Sequence, residues 1–185
     1  MVTSKMMNLI YTLTTCDEEL EQIIKLQQNN LPSFISKKEK EAEGFVTVTH
    51  DLSILRKMNS KQPHIVAKDK DKVVGYALSM LKDFKDDIEI LKPMFAMIDN
   101  HLDLSSSYVV MGQVCIDKVY RRQGIFRGLY QAMKNELEKK YDFLITEVAS
   151  NNIRSLQAHQ AIGFKTLITY QSNNIQWHLI YWDWQ

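Results

Sequence analysis

The chain has 185 residues, 45% hydrophobic and 24% charged, with a formal net charge of +1. That length suits one domain with a sizeable core, expected to span the chain from residue 1 to 185. The near-neutral charge argues against a surface committed to nucleic acid or to an anionic membrane, and no run approaches the ~20 apolar residues of a membrane span. The N-terminal stretch MVTSKMMNLIYTLTT lacks the apolar core and cleavage site of a secretory leader. The two cysteines, Cys16 and Cys115, stand far apart and form no CxxC or Cys/His metal spacing. A reduced, cytoplasmic chain without a metal is therefore expected.

In chain order, Leu9–Leu13 reads as a short strand. Thr15 with Glu18 reads as a capping box, and Leu20, Ile23, Ile24 and Leu26 follow at helical spacing until Leu31-Pro32. Ser36 with Glu39 repeats the box, with Gly44 suited to the end of that helix. Leu52, Leu55 and Met58 mark another short helix. His64–Lys68 and Val73–Met80 read as a hairpin around the polar turn KDKD. An acidic segment, residues 83–89, precedes a helix expected to start at Pro93. Then come a strand at Tyr108–Ile116, an amphipathic helix from Gly124 to Lys140, a strand at Phe143–Ala149 and a helix at Asn152–Ile162 closed by Gly163. Two strands, Lys165–Tyr170 and Gln176–Trp184, flank the turn SNN. An early hairpin, a late β-α-β unit and a final hairpin predict an α/β (α+β) fold with a mixed central sheet.

Two stretches carry chemistry. In "VYRRQGIFRGLY", Arg121, Arg122, Gln123, Gly124 and Arg127 sit at a helix entrance after a strand. A helix N-terminus offers unpaired N–H groups and about half a positive charge, and glycine lets a ligand approach the backbone. The stretch suits an anion such as a pyrophosphate, though solvated basic residues are the plainer reading. It is neither a Walker A loop nor a Rossmann fingerprint. In "NNIRSLQAHQAIGF", Asn152, Ser155 and His159 fall one helical turn apart and form a polar line.

Together these stretches resemble the GNAT superfamily of acyl-CoA-dependent N-acetyltransferases. Arg121-Arg122-Gln123-Gly124-Ile125-Phe126 is similar to its pyrophosphate loop, (Gln/Arg)-x-x-Gly-x-(Gly/Ala). Asn152-x-x-Ser155 with Gly163-Phe164 is similar to its following motif. The resemblance covers residues 108–170 most closely. It implies a splayed mixed sheet of six or seven strands with about four helices, gripping CoA between two central strands. It also implies acetyl-CoA as cosubstrate, a primary amine as acceptor and direct transfer without a covalent enzyme intermediate, so Cys115 is read as a small apolar strand residue.

By the same resemblance, the main-chain N–H of Val114 would stabilise the oxyanion, and Val114 and Ile116 would pair with the pantetheine arm. The loop residues Arg121, Arg122, Gln123, Gly124, Ile125, Phe126 and Arg127 would bind the cofactor, with Asn152, Ser155 and His159. His159 stands where many members carry an acidic tyrosine, so it is a candidate acid as well as a cofactor contact. Glu147 is the first candidate base and Glu43 the second. Phe126 departs from the small residue the family prefers, and its setting beside Ile125 and Leu129 predicts that it turns to the core. The acidic segment and the helix after it are expected to cover the acceptor side. Trp177, Trp182 and Trp184 read as core or interface. A non-catalytic acyl-CoA-binding module is the alternative function. Nucleic-acid binding through the arginines is the weaker third, since no stacking platform accompanies them. The acceptor's identity and the oligomeric state, a homodimer included, stay open.

Overall fold

A computed structural model describes residues 9–185 apart from 32, 37, 40–44, 47 and 104. Glu43 and Gly44 therefore lie outside the described residues. The elements are β1 (Leu9–Leu13), α1 (Asp17–Gln28), α2 (Leu52–Lys61), β2 (Ile65–Asp69), β3 (Lys72–Met80), α3 (Lys92–His101), β4 (Tyr108–Ile116), α4 (Ile125–Leu137), β5 (Phe143–Ala149), α5 (Ile153–Gln160), β6 (Lys165–Ser172) and β7 (Ile175–Asp183). The strands form one seven-stranded sheet ordered β1-β2-β3-β4-β5-β7-β6. Only β4 and β5 run parallel. This is the mixed α/β sheet expected, with five helices among the described residues.

Local chemistry explains several boundaries. Helix α1 starts one residue later than a Thr15–Glu18 box would require, with Cys16 as its N-cap. The third helical position therefore falls on Glu19, and the Thr15 N–H donates to Glu19 Oε2 at 2.7 Å. The expected pairing with Glu18 is corrected accordingly. The Ser36–Glu39 box does form: Ser36 N–H donates to Glu39 Oε2 at 2.9 Å, and Glu39 N–H to Ser36 Oγ at 3.2 Å. In the SNN turn, Asn173 and Asn174 take φ of +50° and +60°. Two left-handed residues in a two-residue loop match the right-handed twist of β6 and β7.

The centre of the sheet departs from regularity twice. Pairing of β4 with β3 slips between Ala77↔Val114 and Ser79↔Met111, so Gly112 and Gln113 oppose the single residue Leu78. The bulge inverts side-chain alternation. Val109 and Met111 before it join the same core as Val114 and Ile116 after it, while Val110 and Cys115 join the other. Second, β4 and β5 pair only from Tyr108↔Phe143 to Val110↔Ile145, after which no main-chain pairing joins them. The Thr146 hydroxyl donates to the Met111 carbonyl at 2.8 Å where the strands part.

Helices α1, α2 and α3 cover one face through Leu20, Ile23, Leu55, Met58, Met94 and Ile98. Helix α4 covers the other through Ile125, Leu129, Tyr130, Met133 and Leu137. Each such burial stabilises by roughly 1.5–3 kcal/mol relative to exposure.

Candidate active site

The parted ends of β4 and β5 open a gap with polar backbone on its β4 side. Asp117 N–H donates to Val74 O on β3 at 2.8 Å. Peptide groups alternate along a strand, so those of Cys115 also face β3, and those of Val114 and Ile116 face the gap. The Ile116 carbonyl accepts from Arg121 Nε at 3.2 Å. Val114 lines the cavities on both sides of the gap. The Cys115 thiol is buried, and burial pushes it up to about 12, which suits a packing residue.

Below the gap, a cleft of about 440 Å³ runs to the entrance of α4. Gly124 is the N-cap, at φ +80°. A Cβ built on it would meet nothing within 4 Å, so it is φ and the open space in front that call for glycine. Arg122 also takes a left-handed φ of +62°. Arg122, Arg127 and Arg154 line the cleft with Gly124. The Arg127 guanidinium donates to the Ala161 carbonyl at 3.1 Å. Arg121 bridges the Ile116 carbonyl and, at 2.5 Å, Asn30 Oδ1. Gln123 turns back to the Val119 carbonyl at 3.1 Å, and it does not line the cleft. Ile125 is buried against the sheet. This arrangement fits a pyrophosphate: first-turn N–H groups of α4, a bare glycine and surrounding guanidinium groups.

The Asn152–Ser155–His159 line divides its roles. Asn152 is the N-cap of α5, with Oδ1 accepting from Ser155 N–H at 3.4 Å, and its Nδ2 donates to the Phe45 carbonyl at 3.3 Å. It thus ties the end of β5 to the segment that walls the cleft. His159 is 1% exposed. Its Nδ1 lies 2.7 Å from the Ser155 carbonyl and its Nε2 2.5 Å from Tyr130 Oη. Burial drives the imidazole down to about 4. Phe126 packs its ring 5.0 Å from Tyr130 and 5.1 Å from His159. Its side chain therefore joins the aromatic core, as expected, while one edge remains on the cleft wall.

On the far side of the gap stands Glu147. It lines two small cavities, one shared with Val114, Ser155 and His159, the other with Met80, Leu91 and Met94. Met111, Gly112 and Trp177 line both. Burial pushes the Glu147 carboxyl up to about 7, against a lowering bond from the Tyr170 hydroxyl. Val48 links this region to an outer cleft of about 650 Å³ where Asp51, Asp87 and Glu89 appear. Each of these acids is already engaged: Asp51 caps α2, Asp87 pairs with Lys57 at 2.7 Å, and Glu89 pairs with Lys92 at 2.5 Å. Among the described residues, no group of three or more His, Cys, Asp or Glu could hold a metal ion.

Arg154 was not singled out in the sequence, yet a signal for it was present. Arg154, Gln157, Ala158 and Ala161 recur at helical spacing, and all four line the cleft. Asn30 and Phe45 reach the site from distant segments and leave no local trace.

The Acetyltransferase (GNAT) family model matches residues 18–164. No curated protein sequence matches the chain significantly. Solved structures similar in fold include the ribosomal-protein-S18-alanine N-acetyltransferase of Escherichia coli, at TM-score 0.63 and 12% identity, covering 95% of this chain and 93% of that one. Arabidopsis thaliana NAA60 in complex with acetyl-CoA has TM-score 0.68 and 11% identity, covering 95% and 99%. Arabidopsis thaliana Naa50 in complex with a bisubstrate analogue has TM-score 0.65 and 14% identity, covering 95% and 98%. The family match spans most of the chain and includes both motif stretches, and this chain belongs to the GNAT family of acetyltransferases.

Proposed function

We propose that this enzyme transfers the acetyl group of acetyl-CoA to a primary amine, with both substrates bound at once in the β4–β5 gap. One observation carries the reading: the same gap joins the α4 entrance on one side to Glu147 on the other. The α4 N-terminus, Arg122, Arg127 and Arg154 would hold the pyrophosphate, and the gap-facing peptide groups of Val114 and Ile116 would hold the pantetheine arm. The complexes with acetyl-CoA and with a bisubstrate analogue among the similar structures support this assignment.

Acetyl-CoA supplies an acyl carbon activated by its thioester. The chain must then provide a neutral amine and a place for negative charge. A lysine-like amine has a pKa of about 10.4, so keeping it neutral at pH 7 costs roughly 4–5 kcal/mol. Glu147, pushed up to about 7, is matched to accept that proton near neutral pH. The Val114 N–H is the donor for the carbonyl oxygen as charge develops, and one such donor is worth about 3–4 kcal/mol. A thiol has a pKa of about 8.5, so the departing thiolate needs little help.

His159 is therefore given no proton to donate in this reading. Its two ring nitrogens are engaged inside the core, and it acts as an anchor for the Phe126–Tyr130 wall. The test is release of free thiol from acetyl-CoA across a panel of primary amines, including peptide N-termini, polyamines and free amino acids. Turnover that Glu147→Gln lowers more than 100-fold supports the reading. Acetyl-CoA binding without turnover of any amine would support a non-catalytic module instead.

A further inference from the structure

Glu147 and Tyr170 belong to strands that do not touch. Strand β7 lies between them, with Glu147 opposite Leu179, Leu179 opposite Ile168, and Tyr170 two residues beyond on the same face. Across that strand the Tyr170 hydroxyl donates to Glu147 Oε2. This is the one hydrogen bond the Glu147 carboxyl makes among the described residues, and the residue lines both cavities. We infer that Tyr170 is a positioning residue for Glu147, fixing one carboxylate oxygen from behind so that the other faces the acceptor amine.

The surroundings leave little else to do this. From α3 and the turn before it, Met94 and Leu91 line a cavity with Glu147. From β3 comes Met80, from β7 Trp177, and from the segment before α2 Val48. The one other titratable side chain lining either cavity is His159 of α5, whose nitrogens are bonded to Ser155 and Tyr130. His178 of β7 pairs opposite Val148 and meets Thr169 Oγ1 at 3.3 Å, on the opposite face from Glu147. Gln113, Thr146, Asn152 and Ser155 also line these cavities, each with a partner of its own, so a charge on Glu147 is stabilised by the phenol and opposed by burial. An unheld carboxylate there would rotate freely and take its proton at higher pH.

The inference rests on Glu147 as the proton acceptor for its kinetic reading only, because the carboxyl can be titrated without substrate. In the full chain labelled with carboxyl-¹³C glutamate, the Glu147 resonance is identified by its loss in Glu147→Gln. Tyr170→Phe removes one oxygen and should keep the fold. Its Glu147 midpoint should rise by at least about half a pH unit, a roughly threefold change in deprotonated fraction below the midpoint. Coincident titrations in the wild type and Tyr170→Phe would overturn the inference. With acetyl-CoA and the best amine of the panel, the acidic limb of kcat/KM should move by the same amount, and the high-pH plateau should fall as the carboxylate loses its orientation. An unmoved acidic limb with an unchanged plateau would overturn it as well. A shifted carboxyl titration with no acetyl transfer would uphold the tyrosine's hold on the carboxyl and defeat Glu147 as base.

Discussion

Tyr130 Oη lies 2.5 Å from His159 Nε2, and the other side of the ring fixes the direction of that bond. The Nδ1 atom sits 2.7 Å from the Ser155 carbonyl, which can only accept, so Nδ1 carries the proton and Nε2 accepts from the phenol. The histidine is neutral and fully used.

This relationship predicts a separation of stability from rate. Tyr130→Phe leaves Nε2 buried without a donor and should cost about 1–3 kcal/mol in urea unfolding. Its kcat for acetyl transfer should stay within a few-fold of wild type. A loss of 100-fold or more in kcat with unchanged stability would restore His159 to the chemistry.

Stability should fall with acid before ordinary carboxylates titrate. Burial holds His50, His64 and His159 each down to about 4. Between pH 6.5 and 4 the unfolded chain binds protons that the native chain refuses, so stability drops as pH falls through that window. Each histidine contributes on the order of 1–3 kcal/mol. Glu147 has the opposite sign. Its native carboxyl, at about 7, keeps a proton that the unfolded chain releases above about 4.5, so it favours folding as pH falls from 7. Glu147→Gln should therefore lose stability more steeply than wild type between pH 7 and 4.5. Parallel urea midpoints across that range would contradict both the sign and the burial.

Gly128 lets α4 approach the edge strand β1. A Cβ there would lie 2.2 Å from Cζ of Tyr11. Gly128→Ala, which would gain about 1 kcal/mol in an open helix, should instead destabilise by roughly 1–3 kcal/mol through overpacking. In a Tyr11→Ala background the same change should become stabilising. A double-mutant cycle by thermal unfolding reads the sign reversal directly.

Much of this was legible because local chemistry decided it. Asn173-Asn174 favours a left-handed turn wherever it joins two strands, and Pro93 suits a first turn of helix. Gly124 could be read as the entrance of a helix, and it is the N-cap of α4. Other features depended on partners far along the chain. Glu19 won the α1 cap over Glu18 because the helix begins after Cys16, and Lys68, at 2.7 Å, holds the same carboxylate from β2. The bulge at Gly112–Gln113 has no local cue. Gln113 turns inward where Gln27, Tyr76 and the Val48 carbonyl await it, and only the assembled sheet brings them together. Glu147 could be named as a carboxylate near the motifs, but the tyrosine behind it lies across a strand that follows both in sequence.

The central claim is that the α4 entrance binds the pyrophosphate of acetyl-CoA, and calorimetric titration with acetyl-CoA tests it most directly. The control is Arg122→Glu/Gly124→Asp. A side chain at 124 enters open space, so the control should fold at a cost of about 1–3 kcal/mol from the left-handed backbone. The account predicts saturable binding by the wild type that the folded control loses. Absence of binding by the wild type, or undiminished binding by the control, would contradict it.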